Sequence, residues 1–182
     1  MKKLYELNFI SNKKLGFDKE HVVTIENAFV LQQKTEAFKD ELARLPGVVS
    51  VGSTSEMPGG LNYFGTSFKQ PGAQESITGR GIVADDDYVK TMGLELTAGR
   101  AFSPEFNDSL SVILNEKAAR DLGFSAENLE DALGKPLVQP GAFFDPEGKD
   151  VTFTVAGVVK DFHFQSLHEP IVPLFLMYDK VS

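Results

Sequence analysis

The stretch from Asp150 to Ile171, DVTFTVAGVVKDFHFQSLHEPI, constrains the fold more than any other. In its first half Val151, Phe153, Val155 and Gly157 alternate with Thr152, Thr154, Ala156 and Val158, the two-residue period of a strand with one strongly buried face. After Val159 the pattern breaks. Lys160, Asp161 and His163 are polar, Phe162 and Phe164 are large and apolar, and residues 166–169 read as a polar turn before Pro170. A buried strand thus opens into a loop carrying two aromatics and two histidines, His163 and His168, and this loop is the first candidate for a site.

The remaining elements follow from periodicity and punctuation. Residues 4–17 are amphipathic at roughly helical spacing and stop near Gly16. H-V-V-T-I-E at 21–26 reads as a strand. Residues 30–45 read as a helix with Leu31, Phe38, Leu42 and Leu45 on one stripe, ended by Pro46-Gly47. With a second strand over 48–53 this makes a β-α-β unit. E-M-P-G-G-L-N at 56–62 is a breaker cluster and the first boundary. Beyond it lie short strands at 64–69 and 77–85, a short helix over 87–92 closed by Gly93, and extended pieces at 94–96 and 100–102. A buried strand over 109–114 follows, then a helix over 116–122 capped by Asn115, and another over 126–133. Residues 135–149, rich in Pro and Gly, lead by a hairpin with a long loop into the strand at 151. The last strand runs from Val172 to Tyr178.

Each constellation that could carry chemistry fails a specific requirement. Asp161, His163 and His168 are spaced D-x-H-x4-H, whereas a zinc helix needs two histidines four apart with a glutamate beside the first. Met57-Pro58-Gly59-Gly60 has no lysine after its glycines and so cannot cradle phosphate; it reads as a hinge or turn. Asp85, Asp86 and Asp87 lack the alternate spacing of a calcium loop and read as a helix cap. Asp145, Glu147 and Asp150 read as a solvated turn. No G-x-S-x-G elbow is present. The residues show no active site, metal ligands or cofactor site.

Composition narrows the partners. The formal charge of −8 opposes a nucleic-acid surface, which needs clustered Lys and Arg. The 182 residues suffice for one core without disulfides, and cysteine is absent. No run of eighteen apolar residues occurs.

Five phrases in fixed order carry a resemblance: NKKLGFDKE at 12–20, LPGVVSV at 45–51, DDYVKTMGLELTAGRAFS at 86–103, VILNEKAARDLG at 112–123 and GVVKDFHFQSL at 157–167. Together they resemble the extracytoplasmic core domain of ABC-transporter permeases of the MacB/FtsX type, in the style common among Bacteroidetes. The resemblance implies an α+β fold with a porter-like β-α-β lobe at 18–57 and 108–180, an inserted mostly-β lobe at 58–107, and a membrane-proximal stalk at 1–17. It implies a domain on the periplasmic face of the bacterial inner membrane, with membrane helices outside both ends, that couples cytoplasmic ATP hydrolysis to export or mechanical work without catalysis of its own. The implied partners are a cytoplasmic ABC ATPase, a second permease copy or paralogue, and a periplasmic adaptor or substrate protein. Met57–Gly60 becomes a hinge between lobes, and Asp161, Phe162, His163 and Phe164 a structural or interaction loop. The alternative is a free-standing binding module or hydrolase with its site in the 161–168 loop.

Overall fold

The computed structural model describes residues 15–17, 21–60, 63–141, 147–165 and 169–179. One mixed sheet organises them. Its strands are β1 (Phe64–Phe68), β2 (Ile77–Ala84), β3 (Leu96–Gly99), β4 (Ser111–Asn115), β5 (Pro136–Gln139), β6 (Val151–Val159) and β7 (Leu174–Tyr178). They lie in the order β1-β2-β7-β4-β6-β3, with β5 beside the first half of β6. The β2–β7 and β4–β6 pairs are parallel; β1–β2, β7–β4, β6–β3 and β5–β6 are antiparallel. Gly157 lets β3 come close to β6, since a Cβ there would sit 2.4 Å from the Arg100 carbonyl oxygen.

The strand pattern explains two cores. Every residue of β4 is buried, and alternate residues go to opposite faces. Ile113 joins Ile82, Leu174, Leu176, Tyr88, Val89 and Met92 on one face, the last three from helix α2 (Tyr88–Thr91) and its end. Val112 and Leu114 join Phe68, Phe153, Val155, Phe175 and Met177 on the other, which helix α3 (Glu116–Asp121) covers with Ala118 and Ala119. A sheet buried on both faces has little room for polar residues in its central strands, and V-I-L and L-F-L-M meet that demand.

The sheet also curls. Lys69, just past β1, and Val138 in β5 exchange both backbone hydrogen bonds, Lys69 N to Val138 O at 2.9 Å and Val138 N to Lys69 O at 2.8 Å. The first strand therefore touches the strand beside β6, and the ladder closes on itself at one point.

The α+β class and most of the later elements agree with the sequence reading. The first fifty residues do not. No strand forms over His21–Glu26, where Val23 is 85 % exposed, nor over residues 48–53, where Val49 is 89 % exposed. The chain joins the sheet only at Thr54, bridged to Ala84. β7 takes one edge of β2 and β1 takes residues 77–81 of the other, so only the short end up to Ala84 is left, and these valine-rich stretches keep strand propensity with little sheet edge to join. The expected helix over 30–45 is divided: a 3-10 segment (Ala28–Lys34) kinks at Gln32 before helix α1 (Thr35–Ala43). The helix over 126–133 shrinks to a 3-10 turn at Leu129–Ala132, and in place of the extended pieces expected at 94–96 and 100–102 one strand forms at Leu96–Gly99. The sheet takes β1, β2 and β3 from residues 58–107 and β4 to β7 from residues 108–180. The stalk over 4–14 lies outside the described residues.

Candidate functional site

The loop leaving β6 is where the segments of the fold meet. Asp161 reaches the start of α3: its Oδ1 accepts the Lys117 backbone N–H at 2.8 Å, and its Oδ2 takes Arg120 Nη2 at 2.5 Å. The Asp161 N–H returns to Glu116 Oε2 at 3.2 Å. A carboxylate here satisfies a free amide of the first helical turn and a guanidinium together. Asn115 caps the same helix from below, its Oδ1 accepting the Ala118 N–H at 2.9 Å.

Phe162 and Phe164 turn inward and are buried. Their rings meet at 5.6 Å, and Phe164 continues to Tyr63 at 5.1 Å. Two other segments dock on this aromatic set. From the N-terminal side, Leu15 O accepts the His163 N–H at 2.8 Å, Phe17 meets Phe162 edge-on at 6.3 Å, and Gly16 lies against the Phe162 backbone. Gly16 has φ +86, and a Cβ there would sit 2.7 Å from Phe162 Cβ, so glycine alone fits. From the other side comes the Met57–Gly60 turn. Gly59 donates its N–H to Phe164 O at 2.8 Å, and the Tyr63 hydroxyl donates to Met57 O at 3.0 Å.

This arrangement joins parts of the fold. Both Asp161 oxygens are engaged by α3, and His163 is half-buried, its backbone N–H bonded to Leu15 O. His168 and Asp145 lie outside the described residues. Among the described residues no three His, Asp or Glu side chains gather as metal ligands.

Two charged anchors hold the periphery. The Asp85 side chain is fully buried at the end of β2 and accepts from Lys39 Nζ at 2.5 Å and from the Ser53 N–H at 2.7 Å. Burial pushes the Asp85 carboxyl above the ordinary carboxylate range, and Lys39 opposes that only in part. Burial would lower the Lys39 ammonium, but the hydrogen bond and charge of Asp85 outweigh it and hold it above its ordinary value. The contact is short and the ammonium keeps some solvent, so the pair is ionised with a small net benefit. At the other anchor Arg100 grips Asp108 with two bonds of 2.8 Å and stacks on Phe106 at 3.8 Å. Burial would raise the Asp108 carboxyl, but Arg100, Ser111 and the Ser103 N–H together hold it below its usual range.

Residues 9–177 match the family described as the MacB-like periplasmic core domain. This chain belongs to that family. A domain from a permease protein of Porphyromonas gingivalis shares the fold, with a TM-score of 0.50 and 20% identity over 76% of this chain and 54% of that one. The periplasmic region of MacB from Actinobacillus actinomycetemcomitans aligns at TM-score 0.48 and 18% identity, over 79% of this chain and 54% of that one. The extracellular domain of the noncanonic ABC-type transporter YknZ from Gram-positive bacteria aligns at 0.49 and 14%, over 79% and 61%. The MacB-like domain described here thus spans little more than half the length of these solved structures. No curated protein matches it. Among the described residues no helix is long and apolar enough to cross a membrane.

Of the loop residues singled out in sequence, Asp161 to Phe164 and Met57 to Gly60 come together at one place. The Lys39–Asp85 and Arg100–Asp108 anchors were missed. Asp85 was legible only as a cap, because nothing local links it to a lysine forty-six residues away.

Proposed function

We propose that this chain is the extracytoplasmic domain of a permease that pairs with a cytoplasmic ATPase, and that it passes motion outward rather than catalysing a reaction. The match over residues 9–177 carries this reading. The docking of Leu15–Phe17 on the β6 loop supports it. A displacement delivered along the chain before Leu15 reaches Phe162, which is packed in one core, and Asp161, which is tied to α3. The force enters the sheet rather than a mobile loop.

In this proposal the sheet moves as one body, because its ladders join β1–β3 to β4–β7. Met57–Gly60 serves as a hinge between β1 and the segment before it. Residues 53–55 tie that segment to the end of β2 by backbone bonds, Ser55 N to Val83 O at 2.8 Å and Asp85 N to Ser53 O at 3.0 Å, beside Lys39 to Asp85 and Ser50 Oγ to Thr91 Oγ1 at 2.7 Å. Partners then follow as a second permease copy or paralogue in the membrane and a periplasmic adaptor or substrate protein outside it.

The test uses the full-length protein expressed in its native membranes. It should extract only with detergent and bring down an ATPase subunit whose turnover in proteoliposomes changes when Phe162→Ala loosens the joint. A gene product that is exported without membrane spans and copurifies with no ATPase would end this reading.

A further inference from the structure

The loop from β3 to β4 carries the run Glu105-Phe106-Asn107-Asp108-Ser109, and no other asparagine of the sequence has a serine or threonine two residues on. Asn-x-Ser, with a middle residue other than proline, is the acceptor pattern for an N-linked glycan on a surface loop of an exported chain. A pattern of three residues often arises by chance, so its setting in the fold is what gives it weight.

The structure presents the two acceptor residues and pins the one between them. The loop is built from two turns in series: Phe106 donates its N–H to Ser103 O at 3.0 Å, and Ser111 donates its N–H to Asp108 O at 2.8 Å. Asp108 turns inward, its side chain shut off from solvent and gripped by both terminal nitrogens of Arg100 at 2.8 Å. Residues 104–107 and 109–110 are exposed on either side of it. The Ser109 hydroxyl donates to Asn107 Oδ1 at 2.8 Å. That bond turns the carboxamide oxygen toward the serine and leaves the amide nitrogen at the open end of the group. Both turns lie between the ladders of β3 and β4, so a bulky group on Asn107 displaces no strand.

We propose that Glu105–Ser109 is an acceptor site for an N-linked oligosaccharide, attached at Asn107 Nδ2. The site rests on the extracytoplasmic reading above, because the co-substrate, an oligosaccharide carried on a polyprenyl diphosphate, meets its transferase on the outer face of the membrane. In the transfer Nδ2 attacks the anomeric carbon of the first sugar. The bond from that carbon to the diphosphate oxygen breaks, and the polyprenyl diphosphate leaves with the bonding electrons. Nδ2 gives one proton to a base of the transferase, and nothing is oxidised or reduced. The exposed Glu105 carboxylate, two residues before Asn107, gives a basic group of the transferase a charged handle on the same loop.

The experiment uses the full-length protein isolated from its native membranes. Trypsin, cutting after Arg100 and Lys117, releases the peptide 101–117 for mass spectrometry. The expected result is an added carbohydrate mass on that peptide, placed on Asn107 by electron-transfer fragmentation. Asn107→Gln and Ser109→Ala should lose the mass, Ser109→Thr should keep it, and Glu105→Gln should cut the occupied fraction severalfold. A bare peptide overturns the proposal, as does a mass carried by Ser103, Ser109 or Ser111 instead, or an occupancy unchanged by Glu105→Gln. A membrane-impermeant maleimide on Gln74→Cys, in an exposed turn, tells the failure of the site from the failure of the reading it rests on. Labelling of that cysteine on intact spheroplasts together with a bare 101–117 peptide removes the acceptor site alone. Labelling only after lysis places the domain inside the cell and removes both.

Discussion

Leu174 donates its backbone N–H to the side-chain oxygen of Asn115, 2.9 Å away in the buried middle of the sheet. The same oxygen caps Ala118, and Asn115 Nδ2 donates to Val172 O at 3.0 Å. One amide thus sets where α3 begins and where β7 enters. Asn115→Ala would leave a buried N–H and C=O unpaired and the helix uncapped, at a cost of about 3 kcal/mol in urea unfolding. A loss below about 1 kcal/mol would mean that these groups find other partners.

Gly16 is required by its conformation and by its neighbour. Gly16→Ala places a methyl against Phe162 at positive φ, with a strain of about 1–3 kcal/mol. That strain undocks residues 15–17 rather than unfolding the sheet. Hydrogen exchange at the His163 amide should accelerate while the β4 amides keep their protection. Unchanged exchange at His163 would show that the docking tolerates a side chain.

Removing one member of the Lys39–Asp85 pair should hurt more than removing the charges of both. Lys39→Met strands a buried carboxylate and is expected to cost about 3 kcal/mol, whereas Lys39→Met with Asp85→Asn should recover most of it. A double-mutant cycle by denaturant unfolding reads the coupling. Additive losses would mean that the pair does not interact.

Asp108 gives a pH dependence of defined sign. Its folded-state carboxyl is held below the ordinary value by Arg100, Ser111 and Ser103, with burial opposing. Its stabilising contribution is therefore complete above the unfolded value and is lost as pH falls through the lower folded one. The stability difference between the wild type and Asp108→Asn should be constant near neutrality and shrink below about pH 4. Asp85, pushed the other way, favours the folded state at lower pH, and it cancels from this difference because both proteins carry it. A difference that grows toward acid would refute the assignment.

The sequence was most legible where burial is two-sided. V-I-L-N at 112–115, the alternation from Val151 and L-F-L-M at 174–177 each announce a strand, and each is one. Asn115, Gly93 and Gly123 mark helix ends through capping chemistry that needs no distant partner. The valine-rich stretches at 21–26 and 48–53 have the same local character and form no strand. Whether a strand forms there depends on a free sheet edge, which is a property of the whole fold. The polar and aromatic residues after Val159 stand out in the sequence, and the structure explains the aromatics as core. The grip of Asp161 on α3 spans more than forty residues and leaves no local signature.

The position of β7 has a consequence for assembly. It lies between β2 and β4, yet it is the last strand to be synthesised. Without residues 174–178, β2 and β4 share no ladder among the described residues, and β1–β2 meets the β4–β6 group through the Lys69–Val138 bridge, the Thr66–Gln139 and Gln70–Leu122 hydrogen bonds and the Phe68–Phe153 ring contact. Strand edges without a partner invite pairing with other chains. One hydrophobic strand thus supplies the ladders to both β2 and β4 and places residues in both cores, so both depend on the chain being made through residue 178.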